Sequence, residues 1–224
     1  MGKLAMFGAA LAFAALLFNT PGASAAALEQ TELLDRAAIT IDHMKSDPAF
    51  EKARSMMKDD KAILVVPRLV KGGFIFGAEG GDGVLTKKNG AGWSSPAFYS
   101  LGSASFGLQA GLEQAEVVML IMSDRALEAV TRSEFKIGAG LGLTMVTLSA
   151  GAEAATPPNL SGDIIIWTSA KGLYGGLTLN GSIVKPRDDW NTAFYGRRVQ
   201  VSDILADRVR SPVGNPIGQH LASL

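Results

Sequence analysis

Three hydrophobic rhythms succeed one another along this chain. The first is a continuous apolar run from Leu4 to Phe18, preceded by a single cation at Lys3 and followed by Pro21-Gly22-Ala23-Ser24-Ala25. A run of that length is short for a membrane span of about 20 residues. The small residues at Ala23 and Ala25 fit a cleavage site, so residues 1–25 read as a signal peptide cut after Ala25, with Ala27 as the alternative site. The second rhythm has the period of a helix. Leu33, Leu34, Ala37, Ala38, Ile41 and Met44 recur on one side of Thr31 to Ser46, with charges between them. Asp47-Pro48 then supplies an N-cap and a proline for the first turn of a second, shorter helix reaching about Lys58.

At Ala62 the rhythm changes to that of strands. Ile63-Leu64-Val65-Val66 is a β-rich apolar run, which Pro67 should close or confine to a sheet edge. Phe74-Ile75-Phe76 and Val84-Leu85-Thr86 flank Gly77 to Gly83, a pattern that predicts a hairpin with a long glycine loop. Strands are predicted within Ala97 to Gly111, Val117 to Met122, Ile137 to Ala152, Asp163 to Thr168, Leu173 to Leu179 and Ser182 to Lys185. Ser123 caps a short helix with Glu128 and Arg132 four apart. Asp188 to Tyr195 and Ser202 to Val209 read as short closing helices, and residues 211–224 as a non-helical tail rich in proline and glycine. Helices first and last with strands between them predict an α+β fold: an antiparallel β-sheet or partial barrel, N-terminal amphipathic helices and short C-terminal helices. Residues 26–224 form one domain, ample for a buried core.

Composition narrows the chemistry. The chain has no cysteine and two histidines, His43 and His220, so disulfides, thiolate metal sites and a histidine metal centre are not expected. Without Lys3 there remain 20 of the 21 basic residues against 21 acidic ones, a balance that advertises no nucleic-acid partner. Gly138-Ala139-Gly140-Leu141-Gly142 lacks the spacing and the following helix of a dinucleotide loop, and Gly77 to Gly83 lacks the lysine and hydroxyl of a phosphate loop. Gly80-Gly81-Asp82-Gly83 falls short of a calcium-binding repeat. There is no Gly-x-Ser-x-Gly elbow, and the adjacent pairs Asp59-Asp60 and Asp188-Asp189 read as solvated cap residues. No enzyme and no cofactor are expected.

Charge is unevenly spread. Glu51 to Lys71 holds six cations (Lys52, Arg54, Lys58, Lys61, Arg68, Lys71) against three anions, with Lys87-Lys88 following, whereas Glu29 to Lys45 holds four anions and two cations. Each cation near an anionic bilayer is worth about 1 kcal/mol. The six form the candidate lipid-docking patch, aided by apolar Leu33, Leu34 or Ile41; an ordinary solvated face is the plainer alternative.

Pro67, Lys71-Gly72-Gly73-Phe74, Gly77 with Gly80-Gly81-Asp82-Gly83, and Gly92-Trp93-Ser94-Ser95-Pro96 occur in an order that resembles the SYLF domain family. Gly107, Gln109 and Gly111, then Lys171-Gly172-Leu173-Tyr174-Gly175-Gly176, then Asn191 with Tyr195-Gly196, continue the resemblance, which covers Leu33 to Gly196. It implies lipid binding, since eukaryotic SYLF domains bind phosphoinositides through an amphipathic helix and basic residues, and some yeast members bind and bundle actin. This chain departs from them in its expected export signal, its expected lack of an attached SH3 or FYVE module and its acidic first helix. The expectation is therefore a bacterial exported member, periplasmic or secreted and peripherally membrane-associated, that docks anionic phospholipid and does not meet actin. The alternatives are a small glycine-rich outer-membrane barrel and a protein scaffold using the sheet edge near Pro67. Of the motif residues Gly72, Gly73, Trp93, Ser94, Pro96, Lys171, Gly172 and Tyr174, the glycines, with Gly92, also admit a purely structural role in positive φ or tight strand contacts, and Trp93 and Tyr174 one in core packing. Intact-mass measurement on the exported protein should find Ala26 at the N-terminus; a chain retaining Met1 would overturn the signal-peptide reading.

Overall fold

The computed structural model describes residues 21–48, 50–51, 55–73, 76–90, 92–106, 111–132, 134–138, 144–149, 162–171, 179 and 181–222. A long helix, α1 (Pro21–Ser46), leads, and a 3-10 turn (Ser55–Lys58) follows. Next come β1 (Ala62–Gly73), β2 (Phe76–Asn89), β3 (Gly92–Trp93), β4 (Ala97–Phe106) and β5 (Gly111–Ile121). Helix α2 (Asp124–Thr131), β6 (Phe135–Lys136), β7 (Met145–Ser149), β8 (Ile164–Lys171) and β9 (Ile183–Pro186) precede three short helices, α3 (Asp188–Tyr195), α4 (Val201–Leu205) and α5 (Pro216–Leu221). The strands form one curled sheet in the order β6-β9-β4-β2-β1-β5-β8-β7, with β3 paired to the end of β2. Every described pairing is antiparallel except that of β7 with β8. The fold is α+β.

Both faces of this sheet are covered, which is why its central strands read as unbroken apolar runs instead of alternating ones. Ile63, Val65, Val118, Leu120, Ile165 and Trp167 point to one side, where they meet Leu34, Ala37, Ile41 and Met44 of α1, Phe194 of α3 and Ile217 and Leu221 of α5. Their neighbours Leu64, Val66, Val117, Met119, Ile164 and Ile166 point to the other, against Ala126, Ala129 and Val130 of α2 and Val201, Ile204 and Leu205 of α4. An outer-membrane barrel presents one sheet face to lipid. The central strands here carry helices against both faces instead.

The centre of the sheet departs from expectation. Pro67 lies inside β1, the strand between β2 and β5, and not at an edge. A bulge accommodates it: register with β2 shifts between Val65 and Val70, and with β5 between Val66 and Leu69, so Pro67 and Arg68 drop out of both ladders. A scaffold using a sheet edge at Pro67 therefore has no edge to use. Residues 77–83 are likewise not a loop but part of β2, and they face this bulge. A Cβ on Gly81 would stand 2.4 Å from the Arg68 carbonyl oxygen, and one on Gly83 would stand 2.8 Å from Val66 Cγ2. Glycine is required there by close approach.

Other boundaries move as well. The first helix starts at Pro21, ahead of the predicted Thr31. The described part of the second helix is Pro48, Phe50 and Glu51, followed by the 3-10 turn. Of the predicted strand over residues 137–152, only β7 is described, after a turn at Ile137 and Gly138, and most of the Leu173 to Leu179 strand lies outside the described residues. The helix predicted from Ser202 to Val209 is shorter, as α4. Residues 211–224 are not a plain tail. Asn215 caps α5 by accepting the Gly218 amide at 3.2 Å, Pro216 opens the helix, and Ile217 and Leu221 enter the core.

The crowding at Gly81 yields a paired expectation. Gly81→Ala should cost about 1–3 kcal/mol of stability through overpacking. Gly80→Ala, whose Cβ meets nothing within 4 Å, should fall within about 1 kcal/mol of wild type. Equal denaturation midpoints for the two variants would contradict the bulge-on-glycine packing.

Candidate functional site

The six cations of the candidate patch do not form one surface. Lys58 ends the 3-10 turn and Lys61 immediately precedes β1, while Arg68 and Lys71 lie further along that strand. Seven residues of extended chain separate Lys61 from Arg68 by up to about 23 Å. Arg68 sits on the bulge beside Arg36, Ile39 and Thr40 of α1. Lys71 stands in register with Glu79 and Glu113 of the neighbouring strands, away from Lys61. Lys52 and Arg54 lie outside the described residues. The apolar helpers differ too, because α1 turns its apolar stripe inward. Leu34 and Ile41 are wholly buried and Leu33 packs partly against the core, while Leu28 and Ile39 are the large apolar side chains that α1 leaves exposed.

What the fold does gather is a lysine-lined depression. Antiparallel pairing sets Ala62 of β1 opposite Lys87 of β2, so the residues before β1 meet those at the end of β2. The Lys88 amide donates to the Lys61 carbonyl at 2.9 Å and the Lys61 amide to the Ile121 carbonyl at 2.7 Å. Lys58, Lys61, Lys87 and Lys88 thereby line one hollow with Asp59, Asp60 and Asp124, and Met122 and Leu127 add apolar wall. Lys61 Nζ lies 3.5 Å from Asp124 Oδ1, a solvent-exposed pair of little energetic weight.

Beneath the hollow is a buried carboxylate. Asp60, expected to be a solvated cap residue, has a fully buried side chain. Lys88 Nζ donates to Asp60 Oδ1 at 3.2 Å, to the Lys58 carbonyl at 3.1 Å and to the Met57 carbonyl at 3.2 Å. The same ammonium lies 5.8 Å from the centre of the half-buried Trp93 ring. Among the described residues Asp60 Oδ2 has no hydrogen-bond partner. Burial pushes the Asp60 carboxyl up to about 6, and the neighbouring Lys88 only partly opposes that rise. Sequence reasoning had passed over Lys87 and Lys88 as patch members and had misplaced Asp60.

The motif residues play another part. Ser94 is a junction: its amide donates to the Lys87 carbonyl at 2.7 Å, its hydroxyl accepts the Lys87 amide at 3.0 Å, and its carbonyl accepts from Thr86 Oγ1 and Asn215 Nδ2. The Ser95 amide donates to Asp207 Oδ1, and Asn89 Nδ2 to Asp207 Oδ2, fastening the end of β2 to the C-terminal segment. Tyr195 Oη donates to the Pro96 carbonyl at 2.7 Å. The buried Asn191 amide accepts the Phe98 N–H at 2.9 Å and donates to the Phe98 carbonyl at 3.2 Å, standing in for a strand partner. Gly72 and Gly73 end β1 opposite residues 77 and 78, and Lys171 ends β8 opposite Gln114. Gly172 and Tyr174 lie outside the described residues. Asn89, Asp207 and Asn215 were missed by sequence reasoning, although Asn215-Pro216 carries a helix-start signature. Among the described residues no three His, Cys, Asp or Glu side chains converge as a metal site, and no helix is long and apolar enough to cross a membrane.

Asp60 gives a signed pH expectation. Its folded-state value lies above the ordinary 3.8, so its favourable contribution is full below about pH 4 and is lost as pH rises through about 6. The ionised form thus burdens the fold by about 3 kcal/mol at higher pH. Asp60→Asn should stabilise the protein at about pH 8, by at least about 1 kcal/mol, with the gain fading below about pH 4. Denaturant titrations showing the same difference at both pH values would refute the assignment.

Relatives share this body. Residues 102–222, more than half of the chain, match the Ysc84 family, described as Las17-binding protein actin regulator. SH3 domain-containing YSC84-like protein 1 of Bos taurus is 26% identical over 151 residues, which are 66% of this chain and 44% of that protein. Protein YSC84 of Saccharomyces cerevisiae is 29% identical over 164 residues, 70% of this chain and 34% of its own length, and LAS seventeen-binding protein 3 of the same yeast is 28% identical over a stretch of equal length. The chain spans less than half the length of these relatives. Because that match covers more than half of the chain, the chain belongs to the Ysc84 family of SYLF domains.

Proposed function

We propose that this protein is a non-enzymatic, exported domain that docks reversibly on anionic phospholipid of a bacterial envelope, using the depression lined by Lys58, Lys61, Lys87 and Lys88. The observation that carries this reading is the convergence of four lysines on one hollow with Trp93, Met122 and Leu127 beside them. Cations flanked by an aromatic ring and apolar side chains suit the boundary between head groups and acyl chains. The three aspartates leave one net positive charge, worth about 1 kcal/mol at an anionic surface, so attachment is weak and readily reversed. Export is supported by the signal-peptide pattern of residues 1–25.

A protein partner is the second reading, favoured by the Las17-binding description of the family. The clefts on either side of Pro67 and Arg68 beneath α1 are its surface. Arg68→Glu separates the two readings, since it alters those clefts and leaves the lysine hollow intact.

Co-sedimentation with phosphatidylglycerol vesicles should exceed that with phosphatidylcholine vesicles at low ionic strength and should fall away at about 1 M salt, where screening acts over about 3 Å. The double substitution Lys61→Gln and Lys87→Gln should weaken binding about tenfold or more, and Arg68→Glu should leave it within about twofold. Equal sedimentation with both lipids at low salt would dispose of the docking reading.

A further inference from the structure

The lysine hollow contains an internal charge whose side-chain partner, among the described residues, is one of the lysines that would meet a head group. Asp60 is sealed beneath the surface, one carboxylate oxygen is bonded to Lys88, and the other has no partner among the described residues. An ionised carboxylate in that setting holds the Lys88 ammonium inward and cancels one unit of the field of the hollow. A protonated one cancels none of that field, while the Met57 and Lys58 carbonyls still hold Lys88. The charged groups around it among the described residues are Lys58 on the 3-10 turn, Asp59 and Lys61 on either side in sequence, Lys87 and Lys88 on β2, and Asp124 at the start of α2. With Asp60 ionised, four lysines face three aspartates. With it protonated they face two, and the net positive charge of the hollow doubles from one to two.

We propose that Asp60 is a proton-operated control on this hollow, so that anionic membrane docking tightens as the surroundings turn from neutral to mildly acidic. The inference rests on the docking reading above and adds its regulation. Its working range follows from burial, which moves the Asp60 carboxyl to about 6, whereas exposed carboxylates titrate near 4. The two histidines of the chain lie elsewhere: His43 Nδ1 is 2.7 Å from Glu116 Oε1, and His220 Nδ1 is 2.7 Å from Asp42 Oδ2, on and beside α1.

The test uses the mature chain and vesicles of mixed phosphatidylglycerol and phosphatidylcholine at constant low ionic strength, at about pH 5 and about pH 7.5. One added unit charge predicts binding about fivefold tighter at the lower pH. Asp60→Asn, and Asp60→Ser as a second variant should the amide perturb folding, should bind at both pH values with the tighter wild-type affinity. Retention of the full pH response in both variants would overturn the proposal, because the response would then arise outside Asp60. A wild-type ratio of one would also overturn it while leaving docking in place; no binding at either pH would remove docking itself. Reciprocity adds a readout that a merely structural carboxylate would not give: anionic vesicles should raise the Asp60 titration midpoint followed by carbon NMR of the carboxyl group, and phosphatidylcholine vesicles should not. An unmoved midpoint in the presence of bound phosphatidylglycerol would count against the control.

Discussion

The architecture depends on one close approach, the bulge of β1 lying against the glycines of β2. A proline inside a central strand removes a ladder bond. The chain absorbs that loss by dropping Pro67 and Arg68 out of register, and the displaced Arg68 carbonyl comes where a side chain on Gly81 would otherwise stand. The two features imply each other. With both ladders bent at the same level the sheet curls, and a curled sheet can be covered on one face by α1, α3 and α5 and on the other by α2 and α4. The α+β class follows from apolar runs that need cover on both sides.

Electrostatics at one end of that sheet is set by the same topology. Lys61 and Lys87 are 26 positions apart in sequence, yet the long β1–β2 hairpin returns the chain to its starting point and draws a dispersed set of cations into one hollow. The β1 strand carries Arg68 and Lys71 away by its full length. Strand geometry therefore decides which members of a basic segment can act together, and charge counted along the sequence does not.

Much of this was legible in the sequence. The capped helix after Ser123, the apolar strands at Ile63 and Val117, the helix over Asp188 to Tyr195 and the succession of family motifs are local or ordered signals, and the structure carries them. What was misplaced depends on distant partners. A glycine run looks alike in a loop and in a strand crowded by a neighbour's bulge, so residues 77–83 gave no local sign of their role. Asp60 beside Asp59 looks like a solvated turn; its burial comes from the strands and helix that close over it. Asn215-Pro216 was different, since its helix-start signature was present and was outweighed by the surrounding prolines and glycines.

The docking of α5 on α1 bears on when this protein can fold. Lys45 donates to the carbonyl of His220 at 2.8 Å across 175 residues, and Ile217 and Leu221 complete the layer that α1 begins. The cover of that sheet face is thus complete only when α5 has joined α1 and α3 on it. Contacts closed over such separations form late, because the chain between them must first be ordered.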